Sequence, residues 1–332
     1  MRNNTIDGFR LIAAFLVVCI HAGVPALDSV LTPFYKMAVP FFFLISGFYL
    51  YDADRDKMNR KIIKSMKRIV SIWFQATVIY AIVAYICFPE DWLNQGRLLL
   101  SVKFWLLNIA PFNSVLWYLL AYLYALLLIF GLNKIFNFNK SGGIFAILVV
   151  PCLIINYGMG EFNSFISMRT MDWTTYKSNF VTMGFPIVMI GIACRKYQSY
   201  LPRLTGCKYI FWLAVLYFVA IVQWYVIKRV TNESVSANLF LGSTLPMAIL
   251  TLSYSLGKPN LFGAFLPKWG RLYSLDIYVY HIMFLWPVLL LARTLPSIAW
   301  LKNAVVVFSL TMCFVILKHY LQLKIERRNE HI

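Results

Sequence analysis

The chain has 332 residues, 61% of them hydrophobic, 17% aromatic and only 13% charged, with a mean hydropathy of +0.69. That usage excludes a soluble enzyme domain. Lys and Arg total 31 against 13 Asp and Glu, a formal net charge of +18. Such a balance would suit a nucleic-acid binder, but the basic residues sit in short runs between apolar stretches long enough to cross a hydrocarbon core of ~30 Å. The reading is an all-α polytopic transmembrane helical bundle, with membrane lipids and no nucleic acid as partners.

In chain order the apolar runs predict about ten spans, at 9–26, 36–51, 69–88, 115–132, 143–157, 179–194, 209–227, 237–257, 272–292 and 299–320. Segment 98–110 is apolar but short and interrupted by Lys103, so it reads as a re-entrant or interfacial helix. With ten crossings, 22 of the 31 basic residues fall on the side of the N-terminus, including the run from Arg55 to Arg68. The positive-inside bias then puts both termini in the cytoplasm, and the 55–68 run is expected to meet anionic headgroups as well. Arg2, Arg10 and the small residues at Ala22–Ala26 also fit a secretory signal, but the late apolar transition and the next span argue against cleavage. Residues 1–332 are expected to form one integral-membrane domain without a soluble domain or internal repeat. The cysteines, Cys19, Cys87, Cys152, Cys194, Cys207 and Cys313, lack metal or disulfide spacing, so no metal site is expected.

Ionisable residues inside spans are costly and are functional candidates by default. The first span carries Asp7, Arg10 and His21. Eleven helical residues separate Arg10 from His21, which returns the chain to the same face about 16 Å further along. Asp7 lies one turn before Arg10 on that face, in reach of an i,i+3 ion pair. The stripe suits a long ligand, anionic at one end and reactive at the other. Equally, Arg10 fits a snorkelling anchor and His21 a histidine satisfied by a neighbouring helix. The ninth span carries Arg271, then Ser274, Tyr278 and His281 at i, i+4 and i+7, a second polar stripe. Asp276 lies about 140° around the helix from His281 and should not touch it. His319 and His331 fall at or beyond the last boundary and are given no role.

These residues also carry a resemblance. Thr5-Ile6-Asp7-Gly8-Phe9-Arg10 followed by His21, Pro40-Phe41-Phe42-Phe43-Leu44-Ile45-Ser46-Gly47-Phe48, Lys67-Arg68-Ile69, Leu116-Trp117-Tyr118-Leu119 and Ser274-Leu275-Asp276-Ile277-Tyr278-Val279-Tyr280-His281 resemble, in order, five motifs of the acyltransferase 3 family. The resemblance implies ten core helices in the cytoplasmic membrane and acyl transfer from cytoplasmic acyl-CoA to a hydroxyl of a cell-envelope carbohydrate or lipid-linked glycan. It implies acetyl-CoA or another acyl-CoA as co-substrate and no permanently bound cofactor. His21 becomes the catalytic base, with His281 a second catalytic candidate, and Arg10 a donor-binding or pore-organising residue; because guanidinium forks suit phosphate, Arg68 and Arg271 join it as donor-binding candidates. Asp7, Ser46, Gly47, Trp117, Ser274 and Tyr278 become pore or support residues. Two departures stand out: no carboxylate follows Trp117, and Leu275-Asp276 replaces the usual Tyr and small residue. They place the chain in a divergent branch that also resembles the membrane domain of membrane-bound serine racemases.

The expected mechanism docks the coenzyme A phosphates near Arg10 and brings the thioester to a His21 kept neutral by burial, where it takes the acceptor's proton. Outside, Trp92, Tyr157, Trp173 and Tyr176 are candidates for stacking on sugars or for interfacial anchoring. The rival is a transporter or binding and sensing module for a small polar ligand such as an amino acid. Pro186 and Pro246 would break its helices, but no matching halves are visible.

Overall fold

A computed structural model describes residues 3–24, 28–136, 138, 142–157, 179–231 and 241–329. Every regular element among them is a helix. The helices are α1 (Asn4–Ala22), α2 (Asp28–Tyr35), α3 (Ala38–Leu50), α4 (Arg55–Cys87), α5 (Pro89–Arg97), α6 (Val102–Leu106), α7 (Trp117–Ile135), α8 (Gly142–Tyr157), α9 (Phe185–Lys196, entered through a π turn), α10 (Gly206–Thr231), α11 (Leu241–Gly257), α12 (Phe265–Thr294) and α13 (Ala304–Asn329). Among the described residues, seven stretches are long and apolar enough to cross a bilayer: Asn4–Ala22, Val30–Leu50, Arg55–Cys87, Ser114–Ile135, Gly206–Val226, Phe265–Thr294 and Ala304–Glu326. Gly143–Tyr157 is a shorter apolar helix. The protein is therefore a multi-pass membrane protein.

Local chemistry sets the ends. Asn3 caps α1 by accepting from the Ile6 N–H, and Gly23, at φ 75°, turns the chain out of the helix. At α4 the Asp54 carboxylate accepts from the Asp56 and Lys57 N–H groups, which holds its carboxyl below the usual carboxylate range. This helix starts well before the predicted span at residue 69 and runs for 33 residues, about 50 Å. Four turns of it therefore project past the hydrocarbon core. Hydropathy does not register them, because a polar helix extending out of the membrane loses nothing by being polar.

The chain divides into two compact units, residues 1–35 with 259–332, and residues 36–258. In the first unit α1 and α12 run in parallel. Close to their N-termini a methyl group at Gly270 would overlap the Asp7 carbonyl, and one at Gly8 would overlap the Phe262 ring. The Thr5 N–H donates to the Pro259 carbonyl at 3.1 Å, and the Leu261 N–H to the Thr5 hydroxyl at 2.9 Å. Further along, the rings of His21 and His281 lie 5.2 Å apart. Helix α13 runs back along both partners, with Phe308 on Phe15, Phe314 on Tyr280, and the Ala304 N–H donating to the Gly23 carbonyl.

In the second unit α3 and α9 are also parallel and in backbone contact. Methyl groups at Gly47 and Gly191 would overlap the Val188 and Leu44 carbonyls, and Arg195 covers the Phe48 ring at 5.0 Å. Helices α4 and α7 are antiparallel: Asn133 donates to Asn59 at 2.9 Å and Arg55 to the Lys134 carbonyl at one end, while the turn at Ser114–Leu116 meets α4 at the other. Between them the chain folds back along α4. Trp92 donates its indole N–H to the Ala81 carbonyl at 2.8 Å, Trp105 reaches Trp73 about 12 Å back along α4, and Phe112 returns to Trp92. Segment 89–113 is thus a hairpin of short helices folded along α4.

Candidate functional site

Helix α1 sets two polar groups on one face. At its first turn Asp7 is fully buried and takes the Arg10 guanidinium at 3.4 Å, the ion pair that the spacing predicts. Burial without a partner would be prohibitive for Asp7, so Arg10 neutralises it and is in turn held in place. Eleven residues on, His21 lies in the last turn of α1 and is exposed. Here the structure corrects the expectation of a buried His21. The predicted span ran to residue 26, whereas Gly23 ends the helix and leaves the imidazole at its edge.

The buried imidazole belongs to His281. Its side chain is fully enclosed, and its Nδ1 lies 2.8 Å from the Tyr278 carbonyl and 3.2 Å from that of Ile277. Carbonyls only accept, so Nδ1 carries the proton and Nε2 holds the lone pair. That Nε2 has no hydrogen-bond partner among the described residues, and neither has the fully buried Ser274 hydroxyl one stripe position earlier. The Tyr278 ring meets His281 edge-on at 6.4 Å. Ser274, Tyr278 and His281 form the buried stripe that their spacing predicts, and α1 and α13 cover the helix that carries it.

The two carboxylates on α1 and α12 are both engaged away from the histidines. Asp7 holds Arg10, and Asp276 accepts from Lys318 of α13 at 3.0 Å, with the ammonium also over the Tyr280 ring. As predicted from the helical angle, Asp276 serves a different face from His281. Arg271 is exposed, one residue past the Gly270 contact and level with Arg10. His319 packs edge-on against Tyr273.

The remaining sequence-selected residues lie in the second unit. Arg68 is exposed on α4. Trp117 opens α7 and packs on Phe43 at 6.2 Å. Ser46 donates to the Phe42 carbonyl of its own helix at 2.7 Å, and Gly47 supplies the α3–α9 contact, so both serve helix packing here. Trp92 belongs to the 89–113 hairpin and Tyr157 is exposed at the end of α8. Trp173, Tyr176 and His331 lie outside the described residues. The chain's pattern did not single out Gly8, Gly270 and Lys318. A glycine one residue before the basic start of an apolar helix is the available signal for Gly270; nothing in a sequence links Lys318 to Asp276.

Among protein families, the model described as an acyltransferase domain, that of the acyltransferase 3 family, matches residues 3–320. The chain belongs to the acyltransferase 3 family. This member is similar to two curated relatives over parts of its length. One is the serine/alanine racemase of Enterococcus gallinarum, 33% identical over 90 residues, 24% of this chain and 13% of the relative. The other is the amino-acid racemase of Enterococcus faecalis, 31% identical over 149 residues, 42% of this chain and 21% of the relative. The matched stretches thus span about a fifth or less of those relatives. No solved structure matches significantly. The racemase similarity accords with the divergent-branch reading of Leu275-Asp276, and the match from residue 3 to 320 takes in every helix of this acyltransferase 3 member that bears a candidate site residue.

Proposed function

We propose that the protein transfers an acyl group, in the first instance acetyl, from cytoplasmic acyl-CoA to a hydroxyl of a cell-envelope carbohydrate or lipid-linked glycan. The observation that carries this is one helix face with a guanidinium at one end and, about 16 Å on, an accessible imidazole backed by a second one, in a member of the acyltransferase 3 family. Arg10, with Arg271 level with it, supplies guanidinium forks suited to phosphate. The pantetheine arm follows α1 toward His21. There a lone-pair nitrogen takes the acceptor's proton as its oxygen attacks the thioester carbonyl; the C–S bond breaks, and the proton passes to the leaving thiolate. His21 is accessible to both substrates, as a base must be.

Ten crossings with both termini in the cytoplasm are part of this proposal. The parallel pairs α1–α12 and α3–α9 and the antiparallel pair α4–α7 each agree with that alternation, and each would be violated if segment 98–110 crossed. The plasma membrane is the setting the reading requires.

Calorimetry of acetyl-CoA with the protein in lipid nanodiscs tests the donor. Saturable binding, weakened at least tenfold by Arg10→Ala, is the expected result. A folded sample that binds neither acetyl-CoA nor longer acyl-CoA donors overturns the proposal and leaves the amino-acid transport or sensing reading to be assayed.

A further inference from the structure

Two imidazoles face each other across the α1–α12 contact, and they are not equivalent. His21 is exposed at a helix end; His281 is sealed in the middle of α12. Whatever reacts can reach the first and not the second. Yet His281 is the one with a fixed proton. Its Nδ1–H is committed to the carbonyls of Tyr278 and Ile277, which leaves Nε2 as a buried acceptor without a partner. In a bilayer interior an orphaned acceptor is expensive, and it persists where something completes it.

The group in position to complete it is His21. A centroid separation of 5.2 Å leaves room for an N–H···N bond of about 2.7–3.2 Å once the two ring nitrogens point at one another. The rings are now tilted by 41°, so a turn of the exposed His21 about its side-chain bonds closes the gap. Such bonds are commonly loose before substrate binds. The usual partner for a catalytic histidine is a carboxylate. Here Asp7 is held by Arg10 and Asp276 by Lys318, and neither reaches His281.

We propose that His281 is the positioning residue for His21: its Nε2 accepts the N–H of His21 and so aims the opposite, unprotonated nitrogen of His21 at the acceptor hydroxyl. The inference rests on the acyl-transfer reading for the identity of the reaction but not for the pairing itself. The proton balance is simple. When His21 takes the hydroxyl proton it becomes an imidazolium, its other N–H stays hydrogen-bonded to His281, and the thiolate of coenzyme A recovers the proton. A neutral imidazole partner offers no negative charge to stabilise that cation. The paired His21 therefore returns its proton readily. The other titratable groups on the surrounding helices are Asp7, Arg10 and Cys19 on α1, Asp28 and Tyr35 on α2, Arg271, Tyr273, Asp276, Tyr278 and Tyr280 on α12, and Cys313, Lys318 and His319 on α13. Of these, Lys318 is neutralised by Asp276.

Three substitutions and one spectrum test the pairing in the full-length protein in nanodiscs. His281→Ala is expected to lower kcat roughly 10- to 100-fold with the KM for acetyl-CoA unchanged. His281→Gln, whose amide oxygen accepts from the same direction, is expected to recover most of that loss. His281→Glu is expected to move the acid limb of the pH–rate profile upward by about a unit or more, since a carboxylate favours the imidazolium. A merely structural role moves none of these together. The chain has four histidines, so ¹⁵N-histidine labelling resolves them; His281 should show the Nδ1–H tautomer, and His281→Gln should shift the titration of His21. Unchanged kcat and pH profile in a folded His281→Ala protein, or an Nε2–H tautomer at His281, overturns the proposal. Should the wild type transfer no acyl group at all, the acyl-transfer reading fails, and an unshifted His21 titration in His281→Gln then separately overturns the pairing.

Discussion

The α1–α12 pair of the first unit and the α3–α9 pair of the second are built alike. Both are parallel, and in both glycine lets one helix rest on the other's carbonyls, at Gly270 against Asp7 and at Gly47 and Gly191 against Val188 and Leu44. Their contents differ. The first carries a buried ion pair, an orphaned hydroxyl and two facing imidazoles; the second is apolar along its contact, and its Ser46 is spent on its own helix. Close glycine packing is thus a structural device available to any helix pair in lipid, where association gains from backbone proximity and not from apolar burial. Chemistry resides where such packing also encloses polar groups.

The largest expected separation between the pairs is functional. His21→Ala should cost roughly 10²- to 10⁴-fold in acyl transfer, measured as coenzyme A release, with the folded fraction unchanged by size-exclusion and thermal melting. Next come the contacts. Gly270→Ala and Gly47→Ala should each destabilise by about 1–3 kcal/mol in denaturant unfolding, because in both cases the obstacle is backbone that cannot step aside. If one is silent, the likeness of the two pairs is broken. Lys318→Met should cost about 1–3 kcal/mol by leaving the Asp276 carboxylate half-buried without its ammonium, and adding Asp276→Asn should return most of it.

The smallest effect concerns the start of α4. The Asp54 carboxyl is depressed by its bonds to backbone N–H groups, so its contribution is present above the ordinary carboxylate range and is lost as pH falls through the folded value. The protection of amides in the first turn of α4, taken relative to their intrinsic exchange rates, should fall between neutral and strongly acidic pH. Asp54→Ala should remove that dependence.

What could be read from the chain and what could not follow one division. Helical periodicity is local, so the shared face of Arg10 and His21, the Asp7–Arg10 pair and the Ser274–Tyr278–His281 stripe were all legible. Helix neighbours are not local: nothing in the sequence brings His21 to His281 or Lys318 to Asp276. The burial of His21 was read wrongly because a single residue, Gly23, ends α1 four residues before its apolar run does. The overhang of α4 was missed for the opposite reason, since a helix continues past the point where hydropathy stops.

The parallel α1–α12 contact also fixes an order of assembly. Its two halves are 260 residues apart at the histidines, so α1 is made well before α12. At translation rates of about 5–20 residues per second, the first helix waits in the bilayer for roughly 13–50 s before its partner is synthesised. During that interval Arg10, one turn away, is already in reach to neutralise Asp7. The ion pair that later orders the mouth of the site thus serves first as a chaperone within the helix, keeping an ionised carboxylate tolerable to lipid until Gly270 arrives to cover it.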